Sequence, residues 1–286
     1  MLDPGETEGV VTIRTVSLAI IVEDEISSTS ATAYAVGLAD KERAHLSCLI
    51  VVPILDLPSA RLLPLVHALV DQVNFERRAR AEAAQERVTT ACRIAGVPLS
   101  CQIVQERYVE ARATLIAAVR ASDLVVMARS TGLLSSEGGL GEGVLFESGR
   151  PVICVPPDWT AEPKFEHIVI AWDGGARAAR AVGDALVFLE RASDVEVVSV
   201  TGEDDRRLAG AELSEHLARH CRSVKLTDLP IANDDAGWTL RDHLNIVKPD
   251  LLVMGAFAHS RLLQFMVGGV TNLMINSAER PVLYAY

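Results

Sequence analysis

Near its middle and again at its end, this chain repeats itself. Asp123-Leu-Val-Val-Met127 matches Asp250-Leu-Leu-Val-Met254, and Arg150-Pro-Val-Ile153 matches Arg280-Pro-Val-Leu283. Gly138-Gly139 precedes Arg150-Pro151 by the same interval that separates Gly268-Gly269 from Arg280-Pro281. Self-similarity at a fixed spacing means that one supersecondary arrangement is built twice, so a fold for one half must also serve the other. Each half ends in the order strand, loop, glycine pair, helix, Arg-Pro, strand. The length of 286 residues agrees, being about twice a domain of roughly 100–150 residues.

Short apolar, β-branched runs alternate with longer stretches of helical periodicity, the pattern of parallel strands joined by crossover helices. Strands are predicted at 16–22, 46–52, 99–104, 124–127 and 152–155 in the first half, and at 168–171, 195–200, 224–226, 251–254 and 282–284 in the second. Within 176–190, Ala179, Val182, Leu186 and Leu189 recur at spacings of three and four and predict a helix with one apolar face. Residues 60–95 predict one long helix or two, with Arg77, Arg78, Arg80, Glu82, Glu86 and Arg87 marking a solvated side. The expected fold class is α/β: two tandem doubly wound domains, each an open, mainly parallel five-stranded sheet with helices on both faces. Pro156, Pro157 and Pro163 disfavour both helix and central strand, which places a boundary near residue 160 and the domains at 1–160 and 161–286.

Composition narrows the partners. A formal net charge of −11 works against polyanions, because nucleic-acid affinity rests on Lys and Arg neutralising phosphates, and it offers little to an anionic membrane. Cys48, Cys92, Cys101, Cys154 and Cys221 are odd in number, form no C-x-x-C pair and mostly lie in apolar runs, which suits reduced, buried thiols. The first residues lack a basic region followed by an apolar one, and no stretch reaches the roughly 18 apolar residues that span a bilayer. The expectation is a soluble, cytoplasmic protein with no nucleic-acid or membrane partner.

In open α/β sheets, ligands bind in the crevice at the carboxyl ends of the strands. In the second half those ends carry Trp172-Asp173-Gly174-Gly175 and the run from Gly255 to Gly268-Gly269-Val270-Thr271, which opens a predicted helix. Glycines at a helix N-terminus let the backbone approach a phosphate, and the unpaired N–H groups with the helix dipole then attract it without a lysine. Asp173 could accept hydrogen bonds from a sugar or a base. A glycine pair before a helix is also an ordinary turn, so these residues alone leave both readings open.

The spacing Gly255-x2-Ala258-x9-Gly268-Gly269 resembles the universal stress protein signature G-x2-G-x9-G-[S/T]. Pro281-Val-Leu283 is similar to that family's last strand, and Val169-Ile-Ala-Trp-Asp173-Gly-Gly to its first strand and aspartate. The likeness covers 165–286 and, more faintly, 15–156. It implies the sheet order 3-2-1-4-5 and an adenine nucleotide, ATP or ADP, as ligand in some members and not in others. Adenine and ribose contacts would fall on Ala171, Asp173 and Val200, and phosphate contacts on Gly255, Ala258, Gly268, Gly269 and Val270. No metal is required by the sequence; magnesium would enter only with the nucleotide. It also implies pairing of the two halves through 152–155 and 282–284, a pseudo-dimer within the chain, with a further homodimer of chains as an extension.

Two departures stand out. Ala258 occupies the position of the second family glycine, where a methyl group crowds a phosphate or disfavours a positive φ. Gly269 occupies that of the hydroxyl residue, leaving Thr271 as its replacement or as a mere cap. The first half departs further: Glu23-Asp24-Glu25 would repel an anion, Gly139-x-Gly141 is too common a pattern to signify, and the first family glycine is missing. That half is expected to be a degenerate copy.

Dedicated catalysis finds little support. The sequence has neither G-x4-G-K-[S/T] nor Gly-x-Ser-x-Gly, and Asp173 is the only base in the expected crevice. His216 and His220 at i, i+4 beside Cys221 read as an exposed helix face before they read as metal ligands, and His259 and Arg261 as solvated loop residues. The function expected is a stress-response or signalling protein that binds an adenine nucleotide in its C-terminal domain. The alternatives are an interaction module of the same fold that binds none, and a slow nucleotide hydrolase.

Overall fold

The structure is a computed structural model that describes residues 12–22, 28–55, 64–129, 139–202, 210–232, 235–256 and 269–286. Its central strands are apolar at almost every position because each of their faces is covered, the pattern of a parallel sheet with helices on both sides. The first half runs β1 (Thr15–Ile21), α1 (Thr29–Glu42), β2 (His45–Ile54), α2 (Pro64–Ala95), β3 (Leu99–Arg107), α3 (Tyr108–Val119), β4 (Leu124–Ala128), α4 (Leu140–Glu147) and β5 (Val152–Val155). The second repeats the series with β6 (His167–Ala171), α5 (Ala176–Leu189), β7 (Asp194–Thr201), α6 (Ala211–Leu217), β8 (Val224–Pro230), α7 (Ala236–Val247), β9 (Leu251–Gly255), α8 (Gly269–Ser277) and β10 (Val282–Ala285). Every predicted strand is present.

All of them form one sheet of ten strands, in the order β3-β2-β1-β4-β5-β10-β9-β6-β7-β8. Read inward from the outer edge of each half, the order is 3-2-1-4-5, as the resemblance implies, and the two five-stranded sheets join through their fifth strands. The join is the antiparallel pair β5–β10, with Val282 opposite Cys154, Leu283 opposite Ile153 and Tyr284 opposite Val152; every other pairing is parallel. Ile153 and Leu283 are equivalent positions of the repeat, so a pseudo-two-fold axis passes between them and the chain is its own dimer.

Helices α1, α2, α5 and α6 cover one face and α3, α4, α7 and α8 the other. Each face holds a hydrophobic cluster that draws on both halves: Tyr34, Leu38, Val88, Phe188 and Leu217 on the first, Leu115, Leu145, Leu240, Met274 and Tyr284 on the second. No helix or strand lies between Val155 and His167. The proline-rich segment there runs along α1, where Ser30 Oγ donates to the carbonyl of Pro157 and Lys41 Nζ to that of Pro163. Phe165 then stacks on Phe188 with ring centroids 4.2 Å apart, and Arg191 pairs with the nearly buried Glu42 at 2.8 Å, tying the halves together on this face.

The repeated sequences now acquire causes. Asp123 Oδ2 accepts from the backbone N–H groups of Arg14 and Thr15 at 2.8 and 2.9 Å, and Asp250 Oδ2 from those of Glu166 and His167 at 3.0 and 2.9 Å. Each aspartate thus clamps the entry of its half's first strand to the start of the fourth. The proline of each Arg-Pro pair begins the fifth strand, where its missing N–H costs nothing, while its carbonyl accepts from Val125 or Leu252 at 3.0 Å.

Of the two readings of 60–95, one long helix holds, over Pro64–Ala95: 32 residues, about 48 Å long. One expectation needs correction. In α5 the expected apolar face is rotated: Ala179 is exposed and Leu186 only half-buried, whereas Ala178, Ala181, Val182, Ala185, Phe188 and Leu189 are buried. The stripe is wider than the chosen residues because α5 packs on β6, β9 and β10 together.

Asp250→Ala removes two charge-assisted hydrogen bonds and is expected to lower unfolding free energy by about 1–3 kcal/mol, with Asp123→Ala doing the same in its half. Urea unfolding followed by circular dichroism measures it, and an unchanged midpoint for both would refute the clamp.

Candidate functional site

At the carboxyl ends of β6, β7 and β9 the second half opens a cleft of about 320 Å³. It is lined by Ala171, Trp172 and Asp173 after β6, Val198 and Val200 of β7, Ala236 and Leu240 of α7, Met254 and Gly255 of β9, and Gly269, Val270 and Thr271 of α8. Ala171, Asp173, Val200, Gly255, Gly269, Val270 and Thr271, drawn from sequence segments far apart, are thereby brought to one place. Ala258 and Gly268 lie outside the described residues, as do His259 and Arg261.

Asp173 follows the last hydrogen-bonded residue of β6 and is exposed. Its Oδ1 accepts from the N–H of Gly175 at 2.8 Å, a turn that Gly174 completes with φ of +74°. Its second oxygen meets no donor among the described residues. Asp173 is also the only ionisable residue in the described lining, which is otherwise apolar apart from Thr271 and backbone.

Gly255 is a glycine for reasons of space. A Cβ there would stand 2.7 Å from the backbone N of Ala178 and 2.8 Å from the carbonyl carbon of Arg177. The first turn of α5 therefore rests directly on the end of β9. Around Gly269, by contrast, no atom of the described residues stands within 4 Å of an added Cβ, so among them a hydroxyl-bearing side chain would fit. Gly269 to Thr271 form the first turn of α8, whose N–H groups have no partner within the helix. Thr271 is 2% exposed and faces the cleft from within the core.

The opposite wall was not legible in the sequence. Asp235 caps α7, its Oδ1 accepting from the N–H groups of Gly237 and Trp238 at 2.8 and 3.1 Å. A Cβ on Gly237 would stand 3.1 Å from a Leu273 methyl and 3.3 Å from the Val270 Cα, so α7 and α8 approach closely here and Leu240 becomes part of the floor. Gly237 after an aspartate was the one signal. Trp172, part of the expected strand-end run, joins the lining, and its ring packs beside Gly210.

Below the floor sits a charged group in the core. Glu196 is 3% exposed on β7, two residues before Val198 on the same face of the strand. Its Oε1 accepts from Thr227 Oγ1 at 2.5 Å and from Lys225 Nζ at 3.0 Å, and its Oε2 lies 3.2 Å from His243 Nε2 on α7. Burial alone would raise this carboxyl, but the hydrogen bonds from Thr227, Lys225 and His243 outweigh it and hold it below the usual carboxylate value.

The first half lacks the same constellation. By strand register, β1 continues for two residues past the point where β6 ends, and Ile21 takes the place of Asp173. Ala128 takes that of Gly255. Gly141 lies inside α4 with Gly143, whose Cβ would meet Ile116 Cδ1 at 2.8 Å, so Gly143 serves the contact between α3 and α4. Glu23, Asp24, Glu25 and Gly138 fall outside the described residues. The His216 and His220 rings are 4.9 Å apart, but α6 ends at Leu217, and His220 Nδ1 lies 3.4 Å from Glu190 Oε1. Among the described residues, no three His, Cys, Asp or Glu side chains are grouped so as to hold a metal ion.

Comparison with solved structures identifies the fold. The chain matches a universal stress protein from Archaeoglobus fulgidus DSM 4304 with a TM-score of 0.71 at 15% identity, over 94% of this chain and 97% of the other. A universal stress protein described as putative, from Pseudomonas aeruginosa UCBPP-PA14, matches with a TM-score of 0.59 at 15% identity, over 96% and 93%. A protein of unknown function from Pseudomonas aeruginosa PAO1 gives 0.59 and 15%, over 96% and 92%. Since these alignments span both halves, the shared feature is the whole tandem arrangement. No family model and no curated protein matches the sequence. No helix among the described residues is long and apolar enough to cross a membrane.

Two outcomes follow from this geometry. Gly255→Ala is expected to cost about 1–3 kcal/mol, because backbone rather than a movable side chain blocks the methyl group, whereas Gly269→Ser should leave thermal stability nearly unchanged. The Glu196 network should show in the acid limb of stability. Its carboxyl is depressed in the native state, so its contribution is complete above the unfolded carboxylate pKa of about 4.3 and fades as pH falls through the lower native value. Melting curves of wild type and Glu196→Gln should therefore differ most near neutrality and converge in acid; a gap that stays constant across pH would refute the assignment.

Proposed function

We propose that the cleft in the second half binds an adenine nucleotide, ATP or ADP, and that the protein acts as a ligand-dependent stress-response or signalling protein. The observation that carries this reading is the convergence of Asp173, the α8 amino terminus and an apolar floor on one concave site at the carboxyl ends of the strands. A volume of about 320 Å³ lies at the lower end of small-ligand pockets, which run from about 300 to 1,000 Å³. Ala171, Val198, Val200, Leu240 and Met254 offer apolar walls to a flat base. The second oxygen of Asp173 is placed for ribose hydroxyls, and the first-turn N–H groups of α8 for a phosphate. Asp173 is the sole described carboxylate in the cleft, and it is engaged by Gly175, so binding rather than turnover is the activity proposed.

Titration calorimetry with ATP and ADP tests this, together with analysis of nucleotide released from the purified protein on denaturation. One nucleotide per chain is expected. Asp173→Ala should weaken binding at least about tenfold, or roughly 1.4 kcal/mol, and Asp173→Asn separates the lost charge from the lost turn. Gly268→Val should abolish binding, while Glu23→Ala and Gly138→Val should leave it unchanged. No nucleotide and no heat at millimolar ATP would overturn the proposal in favour of an interaction module of the same fold.

A further inference from the structure

Three of the five cysteines meet on one side of the first half. Cys48 of β2 and Cys101 of β3 are direct partners in the parallel register, and Cys92 of α2 belongs to the same hydrophobic cluster above them. Cys48 and Cys92 are buried, at 2% and 1% exposure, whereas Cys101 is half-buried on β3, the outermost strand of the sheet. The Cys48 and Cys101 thiols are close enough to influence each other's proton, and Gln85 of α2 stands beside Cys101. Neighbouring strands lie about 4.8 Å apart, inside the window of about 4.4–6.8 Å between the Cα atoms of bridged cysteines.

We propose that Cys101 and Cys48 form a peroxide-responsive dithiol, with Cys101 as the attacking thiolate and Cys48 as the resolving thiol. The division of roles follows from access and from the neighbours of each thiol. Cys101 is the member that solvent reaches, and the influence of Cys48 and then Gln85 favours its thiolate, outweighing partial burial. Cys48 is pushed the other way by Cys101 and by burial, so it keeps its proton until a partner is offered. Burial raises Cys92 to about 11, which leaves it a bystander.

The chemistry balances in two steps. The Cys101 thiolate attacks one oxygen of a hydroperoxide, the O–O bond breaks, and hydroxide or alkoxide departs, leaving the sulfenic acid. The Cys48 sulfur then attacks the Cys101 sulfur, the S–O bond breaks, and the hydroxyl leaves as water with the Cys48 proton. Two thiols are oxidised to one disulfide and one peroxide is reduced. The bridge would bolt the edge strand β3 to β2 beneath α2, and a dithiol reductant would reopen it.

The test uses the full chain and hydrogen peroxide. Reduced protein should titrate five thiols after denaturation and peroxide-treated protein three, with a mass loss of 2 Da and a tryptic cross-link between the peptides of Cys48 and Cys101, all reversed by dithiothreitol. Cys48→Ser should stop at a sulfenic acid on Cys101, trapped by dimedone, and Cys92→Ser should behave as wild type. Five titratable thiols after peroxide, a bridge that includes Cys92, or a cross-link between chains would each overturn the proposal. The wild-type measurement stands by itself if a serine variant fails to fold, and no outcome depends on nucleotide binding.

Discussion

The antiparallel pairing of β5 with β10 is the contact on which the rest of the architecture depends. Both strands are four residues long and buried at every position, so neither half could present its fifth strand to water without exposing apolar side chains and a row of unpaired backbone groups. Pairing the two strands removes both edges at once. It also continues each helical layer across the dyad, which is why each hydrophobic cluster draws on both halves. The ion pair between Glu42 and Arg191 and the stack of Phe165 on Phe188 are consequences of that alignment on the face shared by α1 and α5.

A two-fold frame does not require two equal sites. The dyad fixes backbone positions, and the residues placed on them have diverged. Where β6 releases the chain at Ala171 so that Asp173 can turn back on Gly175, β1 keeps its ladder through Ile21, whose apolar side chain is half-buried at that register. Where Gly255 admits the first turn of α5 against β9, Ala128 carries a methyl group. At these two positions the halves differ in the residues that shape their strand ends.

Much of this was legible in the sequence. All ten strands announced themselves because strands buried on both faces need apolar residues at consecutive positions, and only the ends shifted, as at β3, where polar Gln105, Glu106 and Arg107 extend the edge beyond the apolar run. The site residues of β6, β9 and α8 could be found because glycines and an aspartate mark strand ends. The wall from α7 could not, since Ala236 and Leu240 look like any amphipathic helix until the path of that helix over β7 is known. Glu196 was hidden for the opposite reason: a lone charge in an apolar strand gives no hint that Thr227, Lys225 and His243 on two other elements will satisfy it. The pairing of Cys48 with Cys101 likewise needed the register of β2 and β3.

The division of labour within the second half follows from where polarity is placed. The charge in its core, Glu196, is saturated by three donors and lies behind Val198, so it holds α7 to the sheet without facing the cleft. The charge in the cleft, Asp173, is exposed and has one oxygen committed to the backbone. General acid–base catalysis needs a group whose proton affinity is tuned by burial or by a paired charge and which reaches the reacting atom. Among the described residues, the tuned group has no access to the cleft. What faces the cleft is Asp173, the first turn of α8 and residues of α7, while the charge that secures α7 stays behind it.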